Sequence, residues 1–390
     1  MRVTFLLPGL DLSGGNRVIS IYARMLAENG HQVVVVVPAQ RPASWVRRIA
    51  SYLIAGTPGS AAMPASHFDG LGLPMLYLTS TGPVTDADLP DADIVIATWW
   101  ETAEWAHALD PSKGSKVYLI QHHEVFDYLP VDRVRATYEL ELHKIVVAPW
   151  LREVMAHEYH DHQVDLVPNA VDHRQFHAEV RGRQVVPTIG FMYSVASFKA
   201  SNIAIDVLRG LAASIPRFKV VSFGHHPPRG LDFLGADLEF HLFPSQELIR
   251  DCYSRCDVWL SSSNSEGFNL PALEAMACRT PVVSTLTGWP STGVVDGYNG
   301  YTAPVGDVDA LHHGVLQVLN SNRWNELSQN AYATASGLTW ERSFSLFMSA
   351  LTRARDRTTS DGSTYRNDAS PKQRVPSTPD DAGLSVPGAA

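Results

Sequence analysis

The chain has 390 residues, 45% of them hydrophobic and 18% charged, which is enough for two globular domains of ordinary size. Its formal net charge of −9 argues against a nucleic-acid partner, whose phosphates call for a basic surface. Three cysteines (Cys252, Cys256 and Cys278) make no even disulfide framework; they read as small buried hydrophobes in a protein suited to a reducing cytoplasm.

Residues 2–7 (RVTFLL) predict a buried strand, followed by a Gly-rich loop at 8–15 and a helix that Gly30 stops. A second buried strand is expected at 32–37. Residues 55–75, rich in Gly, Ala, Ser and Pro, predict a long loop. Further strands are expected at 93–98, 117–121, 145–148 and 164–167. After Pro187 a second series begins, with strands at 188–192, 218–223, 238–242, 257–261 and 281–284, and helices at 200–213, 245–255, 271–278 and 307–319. Apolar runs without alternation, separated by helices, imply parallel sheets covered on both faces. The expectation is an α/β chain of two doubly wound, Rossmann-like domains at 1–175 and 182–337, then a helix at 338–355. Residues 356–390 are rich in Ser, Thr, Asp, Arg and Pro and predict a disordered tail, because they bury too little to offset ordering.

No apolar run reaches the ~20 residues needed to span a bilayer, and no secretory signal is visible at the N-terminus. The stretch 41–54 places Trp45, Ile49 and Leu53 on one helical face, with Arg47 and Arg48 elsewhere. It is a candidate for packing on its own domain or for weak association with a membrane surface, which would put the protein at the inner face of the membrane.

The chemistry concentrates at 261–284 (SSSNSEGFNLPALEAMACRTPVVS). Glu266 and Glu274 are separated by seven residues that include Gly267, Phe268, Asn269, Leu270 and Pro271. Pro271 suits the first turn of a helix, so the loop opens onto a helix N-terminus that can hold a diphosphate. Gly267 lets backbone approach a ligand. Glu274, one turn into the helix, can accept from a ribose diol, and Glu266 can face a sugar. The plainer alternative is a capping residue and a surface carboxylate. On the other half of the chain, Ser13, Gly14, Gly15 and Asn16 follow the first strand and open a helix, offering N–H groups to phosphate or simply making a tight turn. Neither a G-x-G-x-x-G fingerprint nor a G-K-[ST] loop is present.

The run EGFNLPALEAMACRTPVV resembles the C-terminal signature of the family 4 retaining glycosyltransferases, which have the GT-B fold of two Rossmann-like domains facing a cleft. The resemblance extends over about 330 residues: Pro168-Asn169-Ala170-Val171-Asp172 with Phe176 resembles the interdomain segment, 247–257 the helix and strand start before the motif, and Asp296-Gly297-Tyr298-Asn299-Gly300 the later Gly-rich turn. It implies transfer of a sugar from a nucleotide-sugar donor to an acceptor hydroxyl with retained configuration, and a last helix that returns to the N-terminal domain. It places Glu266 by the donor sugar and Glu274 on the nucleotide ribose. It puts backbone at Phe268, Asn269 and Leu270 on the sugar and diphosphate, and Gly224 and Phe243 beside the base. It implies Lys199 as the cation that balances the leaving diphosphate. The Arg that the family carries a few residues earlier is replaced by the run Gly190-Phe191-Met192-Tyr193-Ser194, so Tyr193 or Ser194 is expected in that slot, with Arg17 as another candidate. His122, and second Gln121, are expected near the donor sugar and acceptor, and Trp99, Trp100 and Glu101 along the acceptor side.

Asp86-Ala87-Asp88 and Asp91-Ala92-Asp93 match D-x-D, but they precede a strand in a Pro-containing loop; no metal and no cofactor beyond the donor are expected. The acceptor stays open among glycans, lipids and natural products. Alternatives to a transferase are an epimerase or hydrolase of the same fold, or a binding subunit without catalysis.

Overall fold

The computed structural model describes residues 1–39 and 65–364. The 41–54 segment, most of the 55–75 stretch and the chain after Thr364 lie outside the described residues.

The first half forms a parallel sheet of β1 (Arg2–Leu6), β2 (Gln32–Val37), β3 (Met75–Tyr77), β4 (Ile94–Ala97), β5 (Ser115–Ile120), β6 (His143–Val146) and β7 (Asp165–Leu166). Their order is β3-β2-β1-β4-β5-β6-β7. The second half repeats the scheme with β8 (Thr188–Tyr193), β9 (Lys219–Gly224), β10 (Leu238–Leu242), β11 (Val258–Ser261), β12 (Val282–Thr285) and β13 (Gly300–Ala303), ordered β10-β9-β8-β11-β12-β13. Every strand pairing is parallel. Both central strands are buried almost throughout, which is why they read as unbroken apolar runs. In each sheet the direction of winding reverses beside the first strand, at β1/β4 and at β8/β11. Open α/β sheets bind ligands beyond the carboxyl ends of the strands at such a reversal. The chain is thus two Rossmann-like units, the GT-B arrangement.

The helix Gly14–Glu28 starts where the Ser13 hydroxyl accepts from the Asn16 N–H (3.3 Å), and ends before Gly30, whose φ is 81°. Its inner face (Val18, Ile19, Tyr22, Ala23, Leu26) is buried. The last helix, Trp340–Thr364, packs on the first unit. The Tyr22 ring stacks on Phe347 at 4.2 Å and meets Trp340 edge-on at 5.6 Å, and Arg353 reaches Asp165 at 2.7 Å. The two chain crossings between the units run side by side: the Val171 N–H donates to the Leu338 carbonyl (3.3 Å) and the Ser343 hydroxyl to the Pro168 carbonyl (2.6 Å).

Several elements differ from the sequence reading. β3, β13 and the helices Trp100–Ala108, Val131–Glu139, Pro149–Glu158, Pro290–Gly293 and Trp324–Ser336 were not placed, and the last helix continues through residues 356–364, which composition assigned to the tail. A polar segment can extend an existing helix without burying anything, because each added residue supplies a backbone bond once nucleation is past.

Candidate functional site

A cleft of about 850 Å³ lies where the carboxyl ends of the two sheets face each other. The first unit lines it with the loop after β1, with Thr98 and Trp99 after β4, and with Gln121, His122 and Glu124 after β5. The second unit supplies Tyr193 at the end of β8 and Ser194 after it, Lys199, then Gly224 at the end of β9, and the stretch from Glu266 to Glu274. Gly14, Gly15, Asn16, Gly267, Phe268, Asn269 and Leu270 all line this space.

Two helices point their N-termini into the cleft from opposite sides: Gly14–Glu28 and Leu270–Ala277. A methyl group placed on Gly14 would meet Leu270 Cδ1 at 3.5 Å, so the two ends nearly touch. Asn269 caps the second helix in the left-handed region (φ 78°), its side chain accepting from the Ala272 N–H and donating to Ser261 (2.8 Å). Asn tolerates that backbone better than most residues. Free N–H groups and the helix dipole make such ends favourable to anions.

Beside this point Lys199 Nζ donates to both oxygens of Glu266, at 2.7 and 2.9 Å, and the Ser263 hydroxyl donates to Oε1 at 2.7 Å. Glu266 is only 6% exposed. Glu274, 4% exposed, accepts from Arg17 Nη1 across the cleft at 2.5 Å and from the Tyr253 hydroxyl at 2.9 Å. Burial, and the neighbouring Glu274 charge, hold the Tyr253 phenol well above its ordinary value, so it remains a donor.

The cleft closes at its back through backbone contact. The Trp150 indole donates to the Gly267 carbonyl at 2.8 Å. Gly267 lies so close to the other unit that a Cβ there would sit 1.7 Å from the Gln121 carbonyl oxygen. His122 faces this seam. Its Nδ1 lies 2.9 Å from the His123 carbonyl, which only accepts, so the neutral ring carries its proton on Nδ1. Nε2 is then free to accept from the Ser265 hydroxyl at 3.3 Å. Burial lowers the His122 pKa, against the bond to the His123 carbonyl and the charge of Glu266, which raise it. Glu124, after β5, is 2% exposed and accepts from the Trp100 N–H at 3.0 Å. Burial drives its carboxyl well above the usual range.

Some expected residues stand elsewhere. Phe243 does not line the cleft: its N–H donates to the Gly224 carbonyl (3.0 Å) with φ 50°, which turns the ring outward, 63% exposed, onto His225 at 5.2 Å. His225, His226 and Pro244 line the cleft at that end instead. Trp100 is in the core and Glu101 lies on the helix Trp100–Ala108, leaving Trp99 at the wall. The carboxylates of the two D-x-D matches are also away from the cleft: Asp88 accepts from Thr85 (2.7 Å), Asp91 pairs with Lys113 (2.9 Å) and Asp93 with Arg2 (2.9 Å). Tyr253, Ser263 and Trp150 carry no local motif and were not singled out from sequence.

Residues 192–335 match the family described as "Glycosyl transferases group 1", and this stretch holds Lys199, Glu266 and Glu274. Two curated relatives are a D-inositol 3-phosphate glycosyltransferase of Geodermatophilus obscurus, 36% identical over 34% of this chain and 30% of its own, and O-antigen chain mannosyltransferase B of Escherichia coli, 40% identical over 24% and 23%. The chain therefore spans less than a third of the length of these relatives. Among solved structures, a sucrose-phosphate synthase of Thermosynechococcus elongatus is similar at a TM-score of 0.68 and 17% identity, over 94% of this chain and 98% of its own. HepE of Anabaena, solved with UDP and glucose, is similar at 0.65 and 15%, over 93% and 100%. At these identities the likeness establishes the fold, two Rossmann-like units in the GT-B arrangement.

Proposed function

We propose that the chain is a glycosyltransferase that moves a sugar from a nucleoside-diphosphate sugar to an acceptor hydroxyl, with retention at the anomeric carbon. The observation that carries this reading is the Lys199–Glu266 pair at the mouth of the helix Leu270–Ala277. A cation, a helix N-terminus and a fixed carboxylate meet there in a cleft wide enough for a nucleotide sugar. The family match over residues 192–335 and the UDP-bound relative of the same fold support a nucleotide-sugar donor.

In this reading Glu274 accepts from the ribose diol and the region around Gly224, His225 and Pro244 flanks the base. The diphosphate lies between the helix ends at Gly14 and Leu270. Lys199 stabilises the charge that builds on it as the C1–O bond breaks, where preorganised charge contributes most to rate. Glu266 has both oxygens engaged and orients sugar hydroxyls; it is not assigned as a nucleophile. The acceptor oxygen bonds to C1 on the face the diphosphate leaves, and its proton passes to the departing phosphate oxygen. His122 Nε2 stands at the sugar and acceptor end.

The experiment is product analysis with UDP-, GDP- and dTDP-sugars, with and without acceptors, for the wild type and for Glu266→Ala and Lys199→Ala. Transfer that needs an acceptor and falls in both variants supports the proposal. Conversion of donor alone would mark an epimerase or hydrolase, and turnover undiminished in both variants would overturn the site.

A further inference from the structure

Arg17 and Glu274 lie 257 residues apart in the chain, on opposite walls of the cleft, yet are joined by a 2.5 Å ion pair. Both side chains are largely shielded, 16% and 5% exposed. The guanidinium face of Arg17 lies 5.1 Å from the centre of the Phe176 ring, which sits on the crossing between the units. Arg17 starts the second turn of the helix whose N-terminus meets Leu270, so its charge lies beside the point where the two helix ends converge. Among the described charged residues that line the cleft, Arg17 is the cation of the first unit and Lys199 that of the second. Each is paired with a glutamate, Arg17 with Glu274 and Lys199 with Glu266.

We propose that Arg17 is a diphosphate-binding residue that exchanges partners: it holds Glu274 when the cleft is empty and turns to the donor diphosphate when the cleft is filled. This rests on the donor reading above and adds a recognition residue from the opposite unit. The exchange is favourable on three grounds. A guanidinium has five N–H donors, and its bond to Glu274 uses Nη1. A diphosphate offers more negative charge than one carboxylate, and pairs of oxygens on its tetrahedral phosphates match the planar guanidinium fork. Glu274 does not lose by it, because the Tyr253 hydroxyl stays on Oε2 and the ribose diol takes the place Arg17 leaves. The same side chain then ties the two units in both states, first through Glu274 and then through the donor.

The test is calorimetric titration of the whole chain with whichever of UDP, GDP and dTDP binds the wild type, and with the matching nucleoside measured by competition. Arg17→Gln is expected to weaken the diphosphate roughly tenfold or more and to leave the nucleoside within about twofold, with Arg17→Lys between them. Glu274→Gln is expected to affect the two ligands unequally: nucleoside affinity falls because the diol loses its carboxylate, while the ratio of diphosphate to nucleoside affinity rises because Arg17 is released. A purely structural Arg17 would lower both affinities together, and that result, or unchanged diphosphate affinity in Arg17→Gln, overturns the inference. Circular dichroism and thermal melts of each variant identify loss of fold, and Arg17→Lys decides the matter if Arg17→Gln does not fold. If the wild type binds none of these diphosphates, it is the donor reading that fails.

Discussion

Lys199 Nζ donates to both carboxylate oxygens of Glu266, and the hydroxyl of Ser263 completes the grip. The pair joins the short turn after β8 to the loop before the helix Leu270–Ala277, so a single contact sets the distance between a cation and the carboxylate that faces the sugar. If Lys199 stabilises the leaving diphosphate, Lys199→Ala should lower kcat/KM by about 10²–10³. It should also lower stability by about 1–3 kcal/mol, because Glu266 remains buried with one partner fewer. Adding Glu266→Gln removes the stranded charge. The double variant should therefore recover stability in urea melts while staying inactive. Recovery of activity along with stability would show that the pair is only structural.

Among the described glycines, Gly267 approaches the opposite unit most closely. A Cβ on it would lie 1.7 Å from the Gln121 carbonyl oxygen and 2.9 Å from the carbonyl carbon, both backbone atoms that no rotamer change can move aside. Gly267→Ala should push the loop away from Gln121 and His122 and break the Trp150 bond to the Gly267 carbonyl. Because small misplacements of reacting groups are costly, transfer is expected to fall about 10²-fold while secondary structure by circular dichroism is retained. Activity within a few-fold of wild type would mean that this seam does not set the reacting geometry.

The alternation of strands and helices was legible because most of the central strands are contiguous apolar runs. The elements that escaped lack that signal. β3 is three residues, Met-Leu-Tyr, too short to show a pattern, and β13 (Gly-Tyr-Thr-Ala) follows directly on a Gly-rich turn. The helix Trp324–Ser336 buries Leu327, Ser328, Ala331 and Ala335, a face of mostly small residues with little apolar contrast. At the site the pattern is similar. Glu266, Glu274 and Gly267 were readable because one loop and one helix carry them. Ser263 is three residues from Glu266, but serine there is ordinary loop composition. Trp150 and Arg17 act across the cleft on partners 117 and 257 residues away, and only the docking of the two units specifies those contacts.

Tyr253 is a case where burial and hydrogen bonding make one testable statement. Its hydroxyl donates to Glu274 Oε2 at 2.9 Å from a ring that also packs on Trp259 at 4.5 Å. Tyr253→Phe keeps the packing and removes the donor. The loss should be about 1–2 kcal/mol of unfolding free energy, the usual cost of leaving a buried acceptor one bond short. Nucleotide affinity should fall as well, since Glu274 loses the protein donor that stays on it once Arg17 turns to the diphosphate. Urea unfolding and calorimetric titration measure the two effects separately. A drop in stability with nucleotide affinity intact would place the ribose somewhere other than Glu274.

Glu124 predicts a pH dependence with a definite sign. Its carboxyl is buried at the carboxyl end of β5, accepts from the Trp100 N–H, and has its own N–H on the Tyr138 hydroxyl (2.8 Å). Burial raises its pKa well above the ordinary value, and the Trp100 bond opposes this only in part. A group raised in the folded state contributes stability that is fully present below its unfolded pKa, about 4.3 for glutamate. That contribution is lost as pH rises toward the folded value, because the unfolded chain gives up the proton and the folded chain keeps it. Glutamine has nearly the same shape, still accepts from Trp100, and does not titrate. The stability of Glu124→Gln relative to wild type should therefore rise with pH from about 4.5 toward neutrality, with a limiting slope of about 1.4 kcal/mol per unit, and level off at lower pH. Urea melts of both proteins from pH 4 to pH 8 give the difference directly. A difference that stays flat across that range would mean that Glu124 ionises normally in the folded protein, and that water or another donor reaches its carboxylate through the cleft.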